Sequence, residues 1–176
     1  EIMRGTGRIH LYYGDGKGKT TAAVGQVIRA AGSGLQVLAF QFLKNNESSE
    51  RKILEQIPNI TCLNGREPVK FVSRMNGDEK AETRRYNNKA LDEIVKFCSP
   101  FDVLLMDEAL CAVQLNVLSE EKLLSFLKHK PRGLEVILTG HVITEDLLEV
   151  ADYVTQMTKI KHPYDQGKLA REGIEY

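Results

Sequence analysis

The segment GDGKGKTT, residues 14–21, decides the fold of this 176-residue chain. It follows an apolar stretch, residues 8–13, whose composition predicts a β-strand, and helical periodicity begins shortly after it at Val24. A glycine-rich loop between a strand and a helix is the setting that a phosphate-binding loop requires. The segment therefore predicts a bound nucleotide or other polyanion at the start of the first helix.

Each part of this loop suits a polyphosphate. Gly14, Gly16 and Gly18 have no Cβ, which allows backbone N–H groups to approach phosphate oxygens, and the helix N-terminus adds partial positive charge. We expect the Lys19 ammonium to reach the terminal phosphates and the Thr20 hydroxyl to reach Mg²⁺. The other predicted binding residues of the loop are Asp15, Lys17 and Thr21.

The loop is one residue shorter than the general phosphate-binding loop. Three residues separate Gly14 from Gly18, where the general pattern has four, and Tyr13 stands in place of the usual first glycine. The loop also carries two lysines, Lys17 and Lys19, beside a helix N-terminus. Because two such ammonium groups repel each other, a bound polyanion explains them better than an empty turn does.

Two later strand ends predict further site residues. Asp107 and Glu108 follow the apolar run at residues 103–106, and an acid in that position beside a phosphate loop typically holds Mg²⁺ directly or through water. Both acids and Thr20 are therefore candidate metal ligands, and the sequence does not decide which acid binds and which hydrogen-bonds the loop or the substrate. His141 follows the next apolar run and either faces phosphate or metal or lies on the surface.

Strand-like and helical segments alternate along the chain. The strand candidates are residues 8–13, 35–42, 59–63, 102–107, 134–139 and 153–157. Near-continuous apolar runs are typical of strands that are covered on both faces. The pattern predicts one α/β domain over residues 1–176, with the three-layer P-loop (RecA-like) fold and a mostly parallel sheet flanked by helices.

Helical periodicity predicts two apolar stripes, Val24, Val27, Ile28, Ala31 and Leu91, Ile94, Val95, Cys98. Ser119 and Thr144 precede pairs of acidic residues and are predicted N-caps. Residues 64–80 are polar and include Pro68 and Gly77, which predicts a long loop of the kind that forms lids or binding segments.

Composition argues against several classes of protein. Twenty-four basic and twenty-four acidic residues balance, so nucleic acid is not an expected partner. No apolar run approaches the ~18–20 residues of a membrane span, and the first residues contain no signal-peptide core. Three separated cysteines without a CxxC pair indicate reduced thiols, so we expect a cytoplasmic protein. His10 is predicted to be a hydrogen-bonded core residue. His162 is predicted to be an exposed loop residue, and contact with substrate or a partner subunit is the alternative.

The loop and its helix, GDGKGKTTAA, resemble the shortened loop GNGKGKTTAA of ATP:corrinoid adenosyltransferases of the CobA/BtuR type. The likeness continues in VLAFQFLK, which ends on Lys44, and in LLMDEA at residues 104–109. Residues 161–176 resemble the family's closing pattern KHxxDxGxxAxxGI[DE]Y, which is more specific than the loop. The resemblance covers nearly the whole chain.

The resemblance implies transfer of the 5′-deoxyadenosyl group of ATP to the Co(I) centre of a corrinoid such as cobalamin, with Mg²⁺ or Mn²⁺ bound and triphosphate released. It implies a binding role for Lys44. It places Phe71 or Met75 over the corrinoid, since this chain has no Trp to match the family's Phe-Thr-Trp segment. A homodimer, an upstream flavin-type reductant, and a place in cobalamin synthesis or salvage also follow from it.

Two other functions use the same residues. An ATP-hydrolysing or phosphoryl-transferring P-loop enzyme needs Lys19, Thr20 and Asp107 as well, but the shortened loop and the C-terminal resemblance argue against it. A non-catalytic nucleotide- or corrinoid-binding protein is favoured by the missing Trp and by His141, which stands where the family has Arg. Formation of a cobalt–carbon bond separates the enzyme from both.

Overall fold

The computed structural model describes residues 5–67 and 69–176, so Pro68 and residues 1–4 lie outside the described residues. The strands are β1 (Ile9–Tyr13), β2 (Val37–Gln41), β3 (Ile60–Cys62), β4 (Val103–Asp107), β5 (Glu135–Thr139) and β6 (Tyr153–Gln156). The helices are α1 (Lys19–Gly32), α2 (Ser49–Leu54), α3 (Gly77–Phe97), α4 (Ala109–Gln114), α5 (Glu120–His129) and α6 (Glu145–Val150). Short 3₁₀ helices cover Val72–Arg74 and Pro163–Gln166.

The six strands form one parallel sheet in the order β3-β2-β4-β5-β1-β6. Alternate side chains of its central strands enter two separate cores. Leu38, Leu104 and Val136 pack with α3, α4, α5 and α6 on one face, while Val37 and Val103 pack with α1 and α2 on the other. The predicted three-layer α/β fold with a parallel sheet is confirmed, and each predicted strand is present.

The buried faces of the helices differ from the predicted stripes at two positions. Ile28 is 45% exposed and Val95 is 43% exposed, so both were wrongly assigned to the core. On α1, the small residues Ala23 and Ala30 are buried instead and allow a close approach to the sheet. On α3, the buried face continues through Asn87, whose Nδ2 donates to the carbonyl of Val117 at 2.8 Å.

The predicted loop at residues 64–80 is wrong at its C-terminal end, where α3 begins at Gly77. The Asn76 side chain accepts from the Glu79 N–H at 2.9 Å, and the Glu79 carboxylate accepts from the Asn76 N–H at 2.8 Å. This capping box provides acceptors for backbone N–H groups of the first turn, which have no partner within the helix. The predicted N-caps Ser119 and Thr144 are confirmed. No helix within the described residues is long and apolar enough to cross a membrane.

The sheet register brings the functional strand ends together. Gln41 at the end of β2 lies opposite Asp107 at the end of β4, and Tyr12 lies opposite Thr139 at the end of β5. All of these strands run in the same direction, so their carboxyl ends share one edge of the sheet. His10 lies lower in β1, partly buried, and pairs with Glu135 as a hydrogen-bonded histidine, as predicted.

Candidate functional site

The first half of the glycine-rich loop is bonded to the protein itself. The Gly14 N–H donates to the carbonyl of His141 at 3.0 Å, and the Gly16 N–H donates to the carbonyl of Met157 at 2.7 Å. A Cβ on either glycine would collide with the backbone of Met157. These two N–H groups are thus bonded to backbone carbonyls in this structure, and the two glycines admit the chain that follows β6. The amides from residue 17 onwards remain for a ligand.

The second half of the loop borders a cavity of about 310 Å³. Lys17, Lys19 and Thr20 line it, and Gly18 in the left-handed region (φ +106°) turns the chain into α1. The Lys19 Nζ donates to the carbonyl of Gly16 at 2.7 Å, and none of the ion pairs among the described residues uses Lys17 or Lys19. These two ammonium groups supply positive charge at the start of a helix, which suits a polyanion.

Asp107 lies beneath this cavity with no solvent exposure. Its Oδ1 accepts from the hydroxyl of Thr20 at 2.9 Å and from the hydroxyl of Thr139 at 2.6 Å. Its Oδ2 accepts from the Lys44 ammonium at 2.7 Å and from Gln41 Nε2 at 3.2 Å. Four donors, from α1, β2, β5 and the turn after β2, satisfy this carboxylate, as a buried charge requires.

Lys44, a predicted binding residue, is held in the same network. Its ammonium pairs with Asp107 and also with Glu50 at 3.2 Å. Burial by itself would lower the pKa of Lys44, but the attraction of Asp107 and Glu50 outweighs it and raises that pKa. Burial likewise opposes the charge on Glu50, and the Lys44 ammonium and the hydrogen bond from Gln41 help to lower its pKa overall. Both groups are therefore charged at neutral pH.

Glu108 follows Asp107 but faces the cavity instead of the core. Its φ of +61° is unusual for a residue with a side chain, and its N–H donates to the Thr139 hydroxyl at 2.8 Å. The carboxylate lies near the Cys111 thiol; burial first, and the charge of Glu108 second, raise the pKa of Cys111 to about 12. Cys111 is therefore a protonated structural thiol. Although Asp107 and Glu108 are consecutive, the first is buried in the core and the second lines the cavity.

The oxygen donors at this site fit a magnesium ion that arrives with phosphate. Thr20 donates its proton to Asp107, which leaves its hydroxyl lone pairs for a cation, and Glu108 lines the same cavity. Mg²⁺ in nucleotide sites commonly uses one or two protein oxygens together with phosphate and water. The described residues contain no cluster of three or more His, Cys, Asp or Glu able to hold a metal unaided.

A second cavity, of about 260 Å³, lies on the other side of Lys44, between the end of β2 and α3. Its apolar lining comes from Phe40, Phe42, Leu43, Val69 and Met75. Met75, one of the two predicted corrinoid contacts, is therefore in this cavity. Phe71, the other, is not in its lining; it is 73% exposed, with the Arg74 guanidinium 5.6 Å from its ring centre.

Residues 157–176, which we call the C-terminal strap, form one side of the loop cavity. His162 is partly buried and lines this cavity, so its prediction as an exposed loop residue is wrong. His141 also lines it, although its side chain is largely exposed. Sequence reasoning missed Tyr164, Lys168 and Glu175, which line the same space. The closing pattern of residues 161–176 marks this segment in the sequence, but it does not indicate where the segment lies in the fold.

Comparison with known proteins places the chain among enzymes. A family model described as ATP:corrinoid adenosyltransferase BtuR/CobO/CobP matches residues 5–176. The corrinoid adenosyltransferase of Escherichia coli K12 is 33% identical over 177 residues, covering 97% of this chain and 86% of that protein. The corrinoid adenosyltransferase CobA of Salmonella typhimurium is 32% identical over 178 residues, covering 97% and 86%. This chain belongs to the ATP:corrinoid adenosyltransferase family.

Proposed function

We propose that this protein transfers the 5′-deoxyadenosyl group of ATP to the Co(I) centre of a reduced corrinoid and releases triphosphate. The observation that carries the proposal is the cavity beside the strap, where Lys17 and Lys19, which form none of the ion pairs among the described residues, meet the N-terminus of α1. Such a site favours a polyanion. Family membership identifies ATP as that polyanion and a corrinoid as the acceptor.

The reaction is a displacement at carbon. The electron pair of Co(I) attacks the ribose C5′, a cobalt–carbon bond forms, and the C5′–oxygen bond breaks with its electrons going to triphosphate. Negative charge on the leaving oxygen grows as this bond breaks. The triphosphate is bound by Lys17, Lys19 and the backbone amides of residues 17–21. These groups accelerate the reaction because they bind the growing charge more tightly in the transition state than in the ground state.

We propose that Thr20 and Glu108 bind the metal directly, and that Asp107 acts through its hydrogen bond with the Thr20 hydroxyl. The four hydrogen bonds to Asp107 occupy its acceptor positions, which favours an indirect role for it. A bound Mg²⁺ or Mn²⁺ would supply charge neutralisation at the phosphates. The residues of this chain fix the position of Thr20 through Asp107 and keep Glu108 directed at the cavity.

We propose that the corrinoid binds at the second cavity, which Lys44 and Met75 line. The apolar cavity there is separated from the loop cavity by the Lys44–Asp107–Thr20 connection, which supports a ring bound beside the nucleotide and not over its terminal phosphate. Met75 would contact the ring from inside this cavity, and exposed Phe71 would cover it from the rim.

The remaining assignments are also proposals. Six strands in one sheet support one domain over residues 1–176. Three free cysteines support a reducing, cytoplasmic compartment. The exposed edge strand β6 supports a homodimer, and the need for Co(I) supports a flavin-type reductant upstream.

The test is an anaerobic assay with ATP and chemically reduced cobalamin or cobinamide. We expect the absorption spectrum to change to that of a cobalt–carbon adduct, in an amount that follows the ATP supplied, and we expect no change without ATP. Consumption of ATP without a cobalt–carbon bond would assign the protein to the ATP-hydrolysing P-loop enzymes. Binding of ATP or corrinoid without either reaction would assign it to non-catalytic carriers.

A further inference from the structure

The C-terminal strap crosses the whole functional edge of the sheet. It leaves β6 at Met157, whose carbonyl accepts from the Gly16 N–H, and the Lys159 N–H donates to Asp15 Oδ1 at 2.9 Å. Its far end reaches α2, where the Ser49 hydroxyl donates to the carbonyl of Tyr176 at 3.3 Å. Because β1, β5 and β4 lie between these two anchor points in the sheet order, the strap crosses this edge, and several of its residues line the loop cavity.

Apolar packing contributes little to the position of the strap. Ile160 is 91% exposed and Leu169 is 83% exposed, and none of its residues is fully buried. Its internal order comes from ion pairs, Lys159 with Asp165 and Arg171 with Glu175, and from a 3₁₀ turn capped by His162. Segments held mainly by exposed polar contacts have low local stability, so a ligand bound to the strap and the loop together would hold it closed.

The strap presents cationic and hydrogen-bond-donating side chains to the cavity. None of the ion pairs among residues 5–67 and 69–176 uses Lys168, which lines the same cavity as Lys17 and Lys19. The His162 Nδ1 accepts from the Tyr164 N–H at 3.1 Å, so the neutral ring carries its proton on Nε2 and is a donor there. The strap acid, Glu175, is already bound by the Arg171 guanidinium, which holds its pKa down to about 2.

We propose that Lys168 and His162 bind the polyphosphate of ATP from the side opposite to Lys17 and Lys19. The polyanion then lies between two cationic walls, one on α1 and its loop and the other on the strap. This inference rests on the proposed function for the identity of ATP, but the contact itself requires only a polyphosphate. The two residues are binding residues, and they take no part in bond making.

The test is a calorimetric titration of the intact protein and its variants with ATP and with inorganic triphosphate, each in the presence of Mg²⁺. We expect Lys168→Ala to weaken binding of both ligands about tenfold or more, because a hydrogen bond between charged groups is lost. Lys168→Arg keeps the charge and should bind nearly as wild type does. Lys161→Ala, on the same strap but outside the cavity lining, is the matched control and should have no effect.

His162 needs a variant that preserves the turn. His162→Asn keeps an oxygen that can accept from the Tyr164 N–H, but it shortens the side chain and removes the Nε2 donor. We expect weaker triphosphate binding with an unchanged melting temperature. Wild-type affinity in both Lys168→Ala and His162→Asn would overturn the inference. Triphosphate binding that needs Lys168 in a protein that forms no cobalt–carbon bond would leave the inference standing and overturn the proposed function.

Discussion

The two walls of the loop cavity are built from different contacts. Below the loop, Asp107 is fully buried and its carboxylate accepts four hydrogen bonds. Above it, the strap is mostly exposed and is held by polar contacts at its ends. The first wall is part of the folded core, so changes there cost stability. The second contributes little to the core, so we expect side-chain changes there to affect ligand binding more than stability.

Lys19 lies between the two walls and gives the largest expected effect on activity. Lys19→Ala should lower kcat/KM for adenosylation about 100- to 1,000-fold, because a preorganised donor to the developing charge is lost. Its stability should stay within about 0.5 kcal/mol of wild type, because within the described residues the Lys19 side chain makes a single hydrogen bond, to Gly16. Steady-state kinetics and urea unfolding check this. Unchanged turnover at saturating ATP would refute the role of Lys19.

Asp107→Asn tests the buried wall. The neutral amide removes the negative charge that pairs with the partly buried Lys44 ammonium, and we expect a loss of about 3 kcal/mol in the free energy of unfolding. The control is Asp92→Asn, whose partner Lys122 lies on the surface; it should cost at most about 0.5 kcal/mol. Adding Lys44→Met to Asp107→Asn should recover part of the loss. Equal costs for the two single variants in urea unfolding would contradict the proposed importance of the network.

Gly14→Ala tests the contact between the loop and the chain after β6. Its Cβ would enter the backbone of Met157 at a φ of +119°, so we expect a loss of about 1–3 kcal/mol. Gly25→Ala is the matched control, because that helical position is open and the change should add about 0.5–1 kcal/mol. Thermal unfolding measures both. A tolerated Gly14→Ala would show that the loop does not need this close approach.

The smallest expected effect concerns the pH dependence of Glu50. The folded pKa of Glu50 lies below its ordinary value of 4.5, so its charge adds stability above that pH, and this stability is lost as the pH falls through the lowered value. Glu50→Gln should therefore be less stable than wild type by a constant amount near neutral pH, and the difference should shrink below pH 4.5. Urea unfolding at several pH values checks this; a difference that grows in acid would contradict the sign.

The strands and the phosphate loop were predictable because their signals are local. The apolar run before Asp107 indicates a buried strand wherever it stands, and the glycines and lysines of residues 14–21 lie together in the sequence. Short helices such as α2 and α4 were missed because six residues show less than two turns of periodicity.

The partners of the site were harder to predict because they come from distant parts of the chain. Thr139 and Lys44 meet Asp107 from other strand ends, and Glu50 joins them from α2. Lys168 lines the loop cavity because β6 pairs beside β1 and the strap then returns over the sheet edge. Such contacts depend on strand order, which no local pattern encodes.

The most direct test of the account is the phosphorus product of the reaction. Phosphorus NMR of a completed mixture of the protein, ATP and reduced corrinoid should show one inorganic triphosphate for each cobalt–carbon adduct formed. That result requires displacement at C5′ with the polyphosphate leaving intact. ADP and phosphate as the main products would show attack at phosphorus and would contradict the account.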